Sequence, residues 1–324
     1  MTGTVTTGLP TMAAGDLPRK DLNAPWMIQQ LWASEAVGVI GGPPKAGKSW
    51  LGLDMAIAVA SGTACLGRFP VDDSGPALVY LAEDALHDVR DRIRQLAQHR
   101  GLTLSQLSNL HVITAPSLRL DVDDDQKALT RTIENIRPRM LLLDPLVRLH
   151  RLDENSAADI SQLLGFLRHL NRHLHIAIVL VHHMAKRARH DPGQALRGSS
   201  DLYAWIDSGC YLIQRQDHLQ LSIQHRAAPA PEPMKLKLEG GNGRPCHLTI
   251  EGIDDHPPPL AEAVRELLRE AQIPCSRTEL RRRLRVNNAR LGETLEALEE
   301  NNLVIRGPKG WELPKQDLQL CLNT

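Results

Sequence analysis

Gly42, Gly47, Lys48 and Ser49 stand at the spacing G-x-x-x-x-G-K-[ST] within the stretch GGPPKAGKSW. That spacing belongs to a phosphate-binding loop, provided a strand precedes it and a helix follows. Backbone N–H groups of such a loop, with the N-terminus of the helix, face a phosphate. Lys48 would reach the β- and γ-phosphates, and the Ser49 hydroxyl would hold Mg²⁺. The candidate cradle is Gly42, Pro43, Pro44, Lys45, Ala46, Gly47, Lys48, Ser49 and Trp50. The plainer alternative is a Gly/Pro turn between a strand and a helix.

A phosphate loop needs a carboxylate on the metal side. The run MLLLD supplies Asp144 after four apolar residues. A hydrolase also needs a group to take a proton from water. Pro145 follows Asp144, so that group must come from elsewhere. The segment YLAED places Glu83 and Asp84 just past another apolar run, at the strand end where open α/β sheets bind ligands. Glu83 is the candidate general base. An acidic pair capping the following helix is the alternative, and it suits Asp84 better.

The elements that must position these groups are legible in the apolar pattern. Five short runs (AVGVI, PALVYLAE, HVITA, RMLLLDP and IAIVLVHH) alternate with segments of helical spacing. That alternation predicts an α/β fold with a mostly parallel sheet covered on both faces. After residue 206 the pattern becomes SGCYLIQRQ, HLQLSIQHR, MKLKLE and CHLTIEG, consecutive strands that extend the sheet in antiparallel fashion. The expected organisation is an N-terminal tail over 1–23, a nucleotide-binding core over 24–252, an acidic, Pro-rich linker over 253–259, a small unit over 260–314 and a tail over 315–324.

Bulk composition excludes some classes. The 324 residues carry 38 Lys and Arg against 38 Asp and Glu, so a charged partner must be sought locally. Two Phe and three Tyr are too few for extensive base-stacking platforms. The five cysteines, at 65, 210, 246, 275 and 321, include no Cys-x-x-Cys pair, which fits a reducing cytoplasm better than a disulfide frame or a zinc ribbon. The N-terminal residues lack a signal-peptide apolar segment, and no window approaches a membrane span. The expectation is a soluble, cytoplasmic protein.

The unit over 260–314 reads as three helices and a short β hairpin, the pattern of a winged helix-turn-helix. Its charge is local: Arg277, Arg281, Arg282, Arg283, Arg285 and Arg290 face only Glu279, before the third helix turns acidic at Glu293, Glu296, Glu299 and Glu300. A helix basic at its start suits an N-terminus pointed at DNA. Arg282, Asn287, Asn288, Arg290 and the turn residue Lys309 are the candidate DNA contacts. Docking against another subunit is the alternative.

Together, PWMIQQLW, GGPPKAGKS, YLAED, LLLDPLVRLHRLDENSAADI, VLVHHMAK and RGSSDLYAWID resemble the RecA-like ATPases. Within them they resemble the RepA-type family of plasmid and phage hexameric helicases, over about residues 24 to 240. The resemblance implies a RecA-like P-loop core, ATP with Mg²⁺, and a ring or filament, a hexamer by preference, acting on DNA. It also implies a catalytic Glu where Glu83 stands and a γ-phosphate sensor at His182 and His183. By residue type alone, that His pair could instead be solvated or ligate a metal, although no third ligand is suitably spaced. The basic segment after it, with Lys186, Arg187, Arg189 and Arg197, suits phosphate-backbone contact; a solvated surface loop is the alternative.

The chain departs from the family once. Plasmid RepA helicases place a trans-acting arginine finger shortly after RGSS, whereas DLYAWIDSG holds no Arg. DnaB-type helicases carry a Lys-x-Arg pair on a late hairpin. Arg226 matches that arginine, with Gln224 in the Lys place, so it is the candidate finger; a surface Arg is the alternative. Two functions compete on these features: a DNA-dependent ATPase motor, and an ATP-switched DNA-binding or loading protein with slow hydrolysis. A small-molecule kinase fits poorly, because no Arg-rich lid accompanies the loop.

Overall fold

The computed structural model describes residues 11–16, 26–153, 156–184, 200–215, 218–241, 244–251, 260–271, 273–284, 286, 288–301 and 303–314. The expected linker over 253–259 and the tail over 315–324 lie outside these residues, as does most of the tail over 1–23.

A two-stranded hairpin, β1 (Trp26–Ile28) and β2 (Trp32–Ala33), precedes the core. Then follow β3 (Val37–Gly42), α1 (Lys48–Ser61), β4 (Ala77–Leu81), α2 (Leu86–His99), β5 (Leu110–Val112), α3 (Asp123–Ile136), β6 (Met140–Asp144), α4 (Ala157–Leu174) and β7 (Ala177–His183). A short α5 (Ser200–Trp205) leads into β8 (Ser208–Gln214), β9 (Leu219–His225), β10 (Met234–Gly241) and β11 (Arg244–Ile250). The sheet order is β11-β10-β9-β8-β3-β7-β6-β4-β5. From β8 to β5 every neighbour is parallel, while β8 to β11 form an antiparallel meander. This is the α/β architecture expected from the alternating pattern.

Both faces of the central strands are buried, which is why these strands read as continuous apolar runs. Ile40, Leu142 and Val179 face a core shared with Leu51, Leu53, Met55 and Val89 of α1 and α2. Val39, Leu143 and Leu180, their neighbours in sequence, face the opposite core with Leu129, Ile133, Leu163 and Leu167 of α3 and α4. Gly38 lies where strands crowd: a Cβ there would stand 1.7 Å from the Ser208 carbonyl oxygen and 3.2 Å from the Trp32 ring. The meander curls back over the first face. Leu221, Ile223, Leu236 and Leu248 join the core of α1 and α2, and Cys246 N donates to Gln95 Oε1 at 2.9 Å.

The C-terminal unit has its own core. Helices α6 (Leu260–Ala271), α7 (Arg277–Leu284) and α8 (Asn288–Glu300) and the hairpin β12 (Ile305–Gly307)–β13 (Gly310–Glu312) enclose Val264, Leu268, Leu280, Leu291, Leu295 and Trp311. Backbone bonds in both directions tie Cys275 to Trp311, each at 2.8 Å, so the hairpin closes on the α6–α7 connection.

Candidate nucleotide-binding site

The loop runs from the end of β3 into α1. Lys45 and Gly47 take positive φ, 64° and 85°, a conformation that glycine adopts without steric cost and that winds the chain around a concave backbone surface. Gly47 occupies the N-cap position with no side chain to cap the helix, which leaves the first-turn N–H groups of a 14-residue helix for an anion. Gly42 and Ala46 are buried, Pro44 and Lys45 are exposed, and Pro43, Ser49 and Trp50 lie between. The Arg92 guanidinium stands 5.9 Å over the Trp50 ring.

Adjacent parallel strands deliver the other groups to the same rim. Gly41 and Gly42 stand in register with His182 and His183, and Leu81 with Asp144. Lys48 is buried; its ammonium donates to Pro43 O at 2.7 Å and lies 3.4 Å from His183 Nδ1. Burial lowers the Lys48 pKa, and the charges of Asp144 and Glu83 partly oppose that shift. His182, the residue before His183 in β7, is buried. Glu83 lies just past β4, and its carboxylate accepts from Arg148 Nε at 2.7 Å. Asp84 is held by both terminal nitrogens of Arg92, at 2.6 and 2.8 Å.

Asp144 is 5 % exposed, and its Oδ2 has no hydrogen-bond partner among the described residues. A hydrogen bond from Ser49 reaches the same carboxylate. A hydroxyl beside an anionic oxygen with spare lone pairs is the donor set a magnesium ion takes from a protein when phosphates supply the rest. The residues therefore fit Mg²⁺. Burial pushes the Asp144 pKa up to about 6, ahead of the Ser49 hydrogen bond, which lowers it.

That shift has a sign for stability. The folded, metal-free protein holds this proton more tightly than the unfolded chain. The stability so gained is complete below the ordinary value of 3.8 and is lost as pH rises through about 6. At pH 7.5 the buried charge then costs on the order of 3 kcal/mol. Asp144→Asn is expected to raise the unfolding free energy at pH 7.5 by on the order of 1–3 kcal/mol, with the gain shrinking as pH falls from 6 towards 4. Urea titrations in metal-free buffer at a series of pH values check this.

Other candidates lie away from this rim. Arg226 follows β9. Because β9 is antiparallel to β8, and β8 is parallel to β3, Arg226 sits at the opposite rim from the phosphate loop. It is half-exposed, pairs with Asp207 at 3.1 Å and donates to Ala204 O. In the C-terminal unit, Arg282 is exposed but paired with Glu279 at 2.8 Å, as is Arg283 at 2.6 Å. Hydrogen bonds from Arg282 and Arg283 hold the Glu279 pKa down to about 2. Asn288 opens α8 and its carbonyl accepts from Arg277, while Lys309 is exposed in the β12–β13 turn. Glu293, Glu296 and Glu300 are exposed further along α8. Lys186, Arg187, Arg189, Arg197 and Asn287 lie outside the described residues, as does the side chain of Arg290.

Residue spacing did not reveal three contacts: Arg148 on Glu83, His183 on Lys48 and Arg92 on Asp84. The signal for the first was present, since Arg148 lies four residues after Asp144, but only the adjacency of β4 and β6 brings it to Glu83.

Among the described residues, no helix is long and apolar enough to cross a membrane. The solved structure titled "Crystal structure of the RadB recombinase" is similar to this chain at a TM-score of 0.49 and 17 % identity, covering 66 % of this chain and 91 % of that one. The family model described as "AAA domain" matches residues 6–189, the stretch that holds the phosphate loop, Glu83, Asp144 and the His pair. The chain belongs to this AAA domain family and carries a P-loop ATPase domain.

Proposed function

We propose that the protein is a DNA-dependent ATPase, a RecA-like motor of the RepA-type class that works as a homo-oligomer, a hexamer by preference. The observation that carries this reading is the convergence of four adjacent strand ends on one rim. They bring the Lys48 ammonium, the Ser49–Asp144 pair, the Glu83 carboxylate and His183 together around a loop whose backbone can cradle a phosphate.

In this reading the loop from Gly42 to Trp50 binds the ATP phosphates, and Lys48 moves from the Pro43 carbonyl to the β- and γ-phosphates. Mg²⁺, held by Ser49 and Asp144, neutralises charge on the phosphate oxygens when bound. Glu83 orients a water and takes its proton. His183, already against Lys48, changes partner with the state of the γ-phosphate, and His182 beside it couples that change to the basic segment with Lys186, Arg187, Arg189 and Arg197.

Arg226 is proposed to act in the site of a neighbouring subunit. Its place at the rim opposite its own phosphate loop supports that role, because an arginine there cannot serve its own nucleotide. It must leave Asp207 to do so. Arg226→Ala is expected to lower DNA-stimulated turnover by at least about tenfold. Mixing Arg226→Ala with Lys48→Ala protein is expected to restore activity, since mixed interfaces pair an intact Lys48 with an intact Arg226. Wild-type turnover in Arg226→Ala, or no recovery on mixing, would remove this role.

The C-terminal unit is proposed to be a winged helix that contacts DNA through the start of α8 (Asn287, Asn288, Arg290), Arg282 and the Lys309 turn. The exposed acids further along α8 limit contact to its first turn. A second reading, an ATP-switched DNA-binding or loading protein, is favoured by one observation: the candidate base Glu83 is engaged in an ion pair with Arg148. Slow hydrolysis indifferent to DNA, alongside tight DNA binding that depends on ATP, would decide for it.

A further inference from the structure

β6 and β7 are parallel and start level, with Met140 opposite Ala177. The helices that precede them, α3 and α4, pack on one face of the sheet through Leu129 and Ile133 and through Leu163, Leu167 and Leu170. Their C-terminal turns therefore end side by side at the rim where β6 and β7 begin, the rim opposite the phosphate loop. A groove of about 420 Å³ runs between them, lined by Thr130 and Glu134 of α3 and by Phe166, His169, Leu170 and His173 of α4.

His169 and His173 are four residues apart, so they share one face of the 18-residue α4. Both are exposed, and their ring centroids lie 4.8 Å apart with planes 25° from parallel. Two imidazoles at this spacing on a helix can grip one borderline cation, with Zn–N bonds of about 2.0–2.1 Å after small ring rotations. Glu134, also exposed, lines the same groove from the other helix. Among the described residues no three His, Cys, Asp or Glu groups already stand together as a metal cage. The histidines are thus a two-point clamp, which a rotation of Glu134 would complete.

The electrostatics select the kind of cation. The negative ends of two helix dipoles meet at this corner and favour positive charge. Arg131 in the groove and Arg172 beside His173 oppose it, while Lys127 is turned to Asp124 at 3.7 Å. Mg²⁺ and Ca²⁺ depend on several oxygen donors and are not held by one carboxylate among arginines. A cation that bonds to neutral imidazole nitrogen is held by the histidines themselves.

We propose that His169, His173 and Glu134 form a site for a Zn²⁺-class cation that clips the end of α3 to the end of α4. Each imidazole binds through one ring nitrogen, and the carboxylate brings the third donor from the neighbouring helix. Asp144 ends β6 whereas this groove lies at its start, so the site is separate from the nucleotide rim and independent of the ATPase reading.

The test is calorimetric titration of the full chain with Zn²⁺, with excess Mg²⁺ present to occupy oxygen-only sites. Wild type is compared with His169→Ala, His173→Ala, Glu134→Gln and the double variant His169→Ala/His173→Ala. All three side chains are exposed, so the variants are expected to fold, which circular dichroism checks. Wild type is expected to show a binding event that weakens at least about tenfold in either single His variant and vanishes in the double. Glu134→Gln should weaken it by less than either His change. Zn²⁺ should also raise the Tm of wild type but not that of the double variant. Zinc binding in the double variant equal to that of wild type, or none in wild type, would overturn the proposal. Wild-type affinity in Glu134→Gln would overturn the bridge between the helices.

Discussion

Lys48→Ala is expected to reduce ATP turnover by on the order of a thousandfold and to abolish the rise in Tm that Mg²⁺ and ATP give the wild type. The ammonium is buried, with Pro43 O at 2.7 Å and His183 at 3.4 Å beside it, and burial already lowers its pKa. A cation so placed is costly to the empty site and is compensated when phosphate charge arrives. Its removal should therefore leave the nucleotide-free Tm unchanged or slightly higher while deleting the largest fixed positive charge facing the phosphates. Thermal melts with and without nucleotide, beside a phosphate-release assay, separate this from simple misfolding. A variant that keeps both the Tm shift and the turnover would mean that the loop is not the phosphate site.

Glu83→Gln is expected to lower kcat by about 10²–10⁴-fold while nucleotide binding and the Tm shift remain. The amide preserves shape but cannot accept a proton from water. The neighbouring Asp84 provides the contrast. Both its oxygens are held by Arg92, at 2.6 and 2.8 Å, in a clamp between the end of β4 and α2. Asp84→Asn should then act mainly on stability and leave kcat within a few-fold of wild type. If Asp84→Asn proves to be the inactive variant and Glu83→Gln the active one, the base has been assigned to the wrong acid.

The groups that need only local spacing were legible in the sequence. Lys48 and Ser49 follow from the glycines that precede them, and Asp144 from four apolar residues before it. The alternating apolar runs likewise give β3, β4, β6 and β7, because strands buried on both faces show no polar interruption, whereas the parallel pairing of β8 with β3 was not legible. The hairpin of β1 and β2 was not legible. Its strands have three and two residues, and its tight turns place Gln30 and Glu35 at positive φ, where glycine would have given a signal. The six-residue α5 is too short for a helical period to register. The curl of β10 and β11 over α1 and α2 depends on sheet twist accumulated across several strands, which no local pattern records.

Within the site, Arg148 reaches Glu83 only through the register of β4 against β6. Arg226 likewise needed the structure. The parallel pairing of β8 with β3 puts the end of β9 at the rim opposite the phosphate loop. Its pairing with Asp207 was equally hidden. The basic face expected of the C-terminal unit is also smaller than the arginine tally implies. Glu279 engages Arg282 and Arg283, and Arg277 is turned to the Asn288 carbonyl.

The most direct test of the central claim is steady-state ATP hydrolysis by the full chain, with and without single-stranded DNA, using Lys48→Ala as the blank. Mg²⁺-dependent turnover that rises with DNA and disappears in the variant is expected. Turnover equal to the blank, with or without DNA, would contradict it.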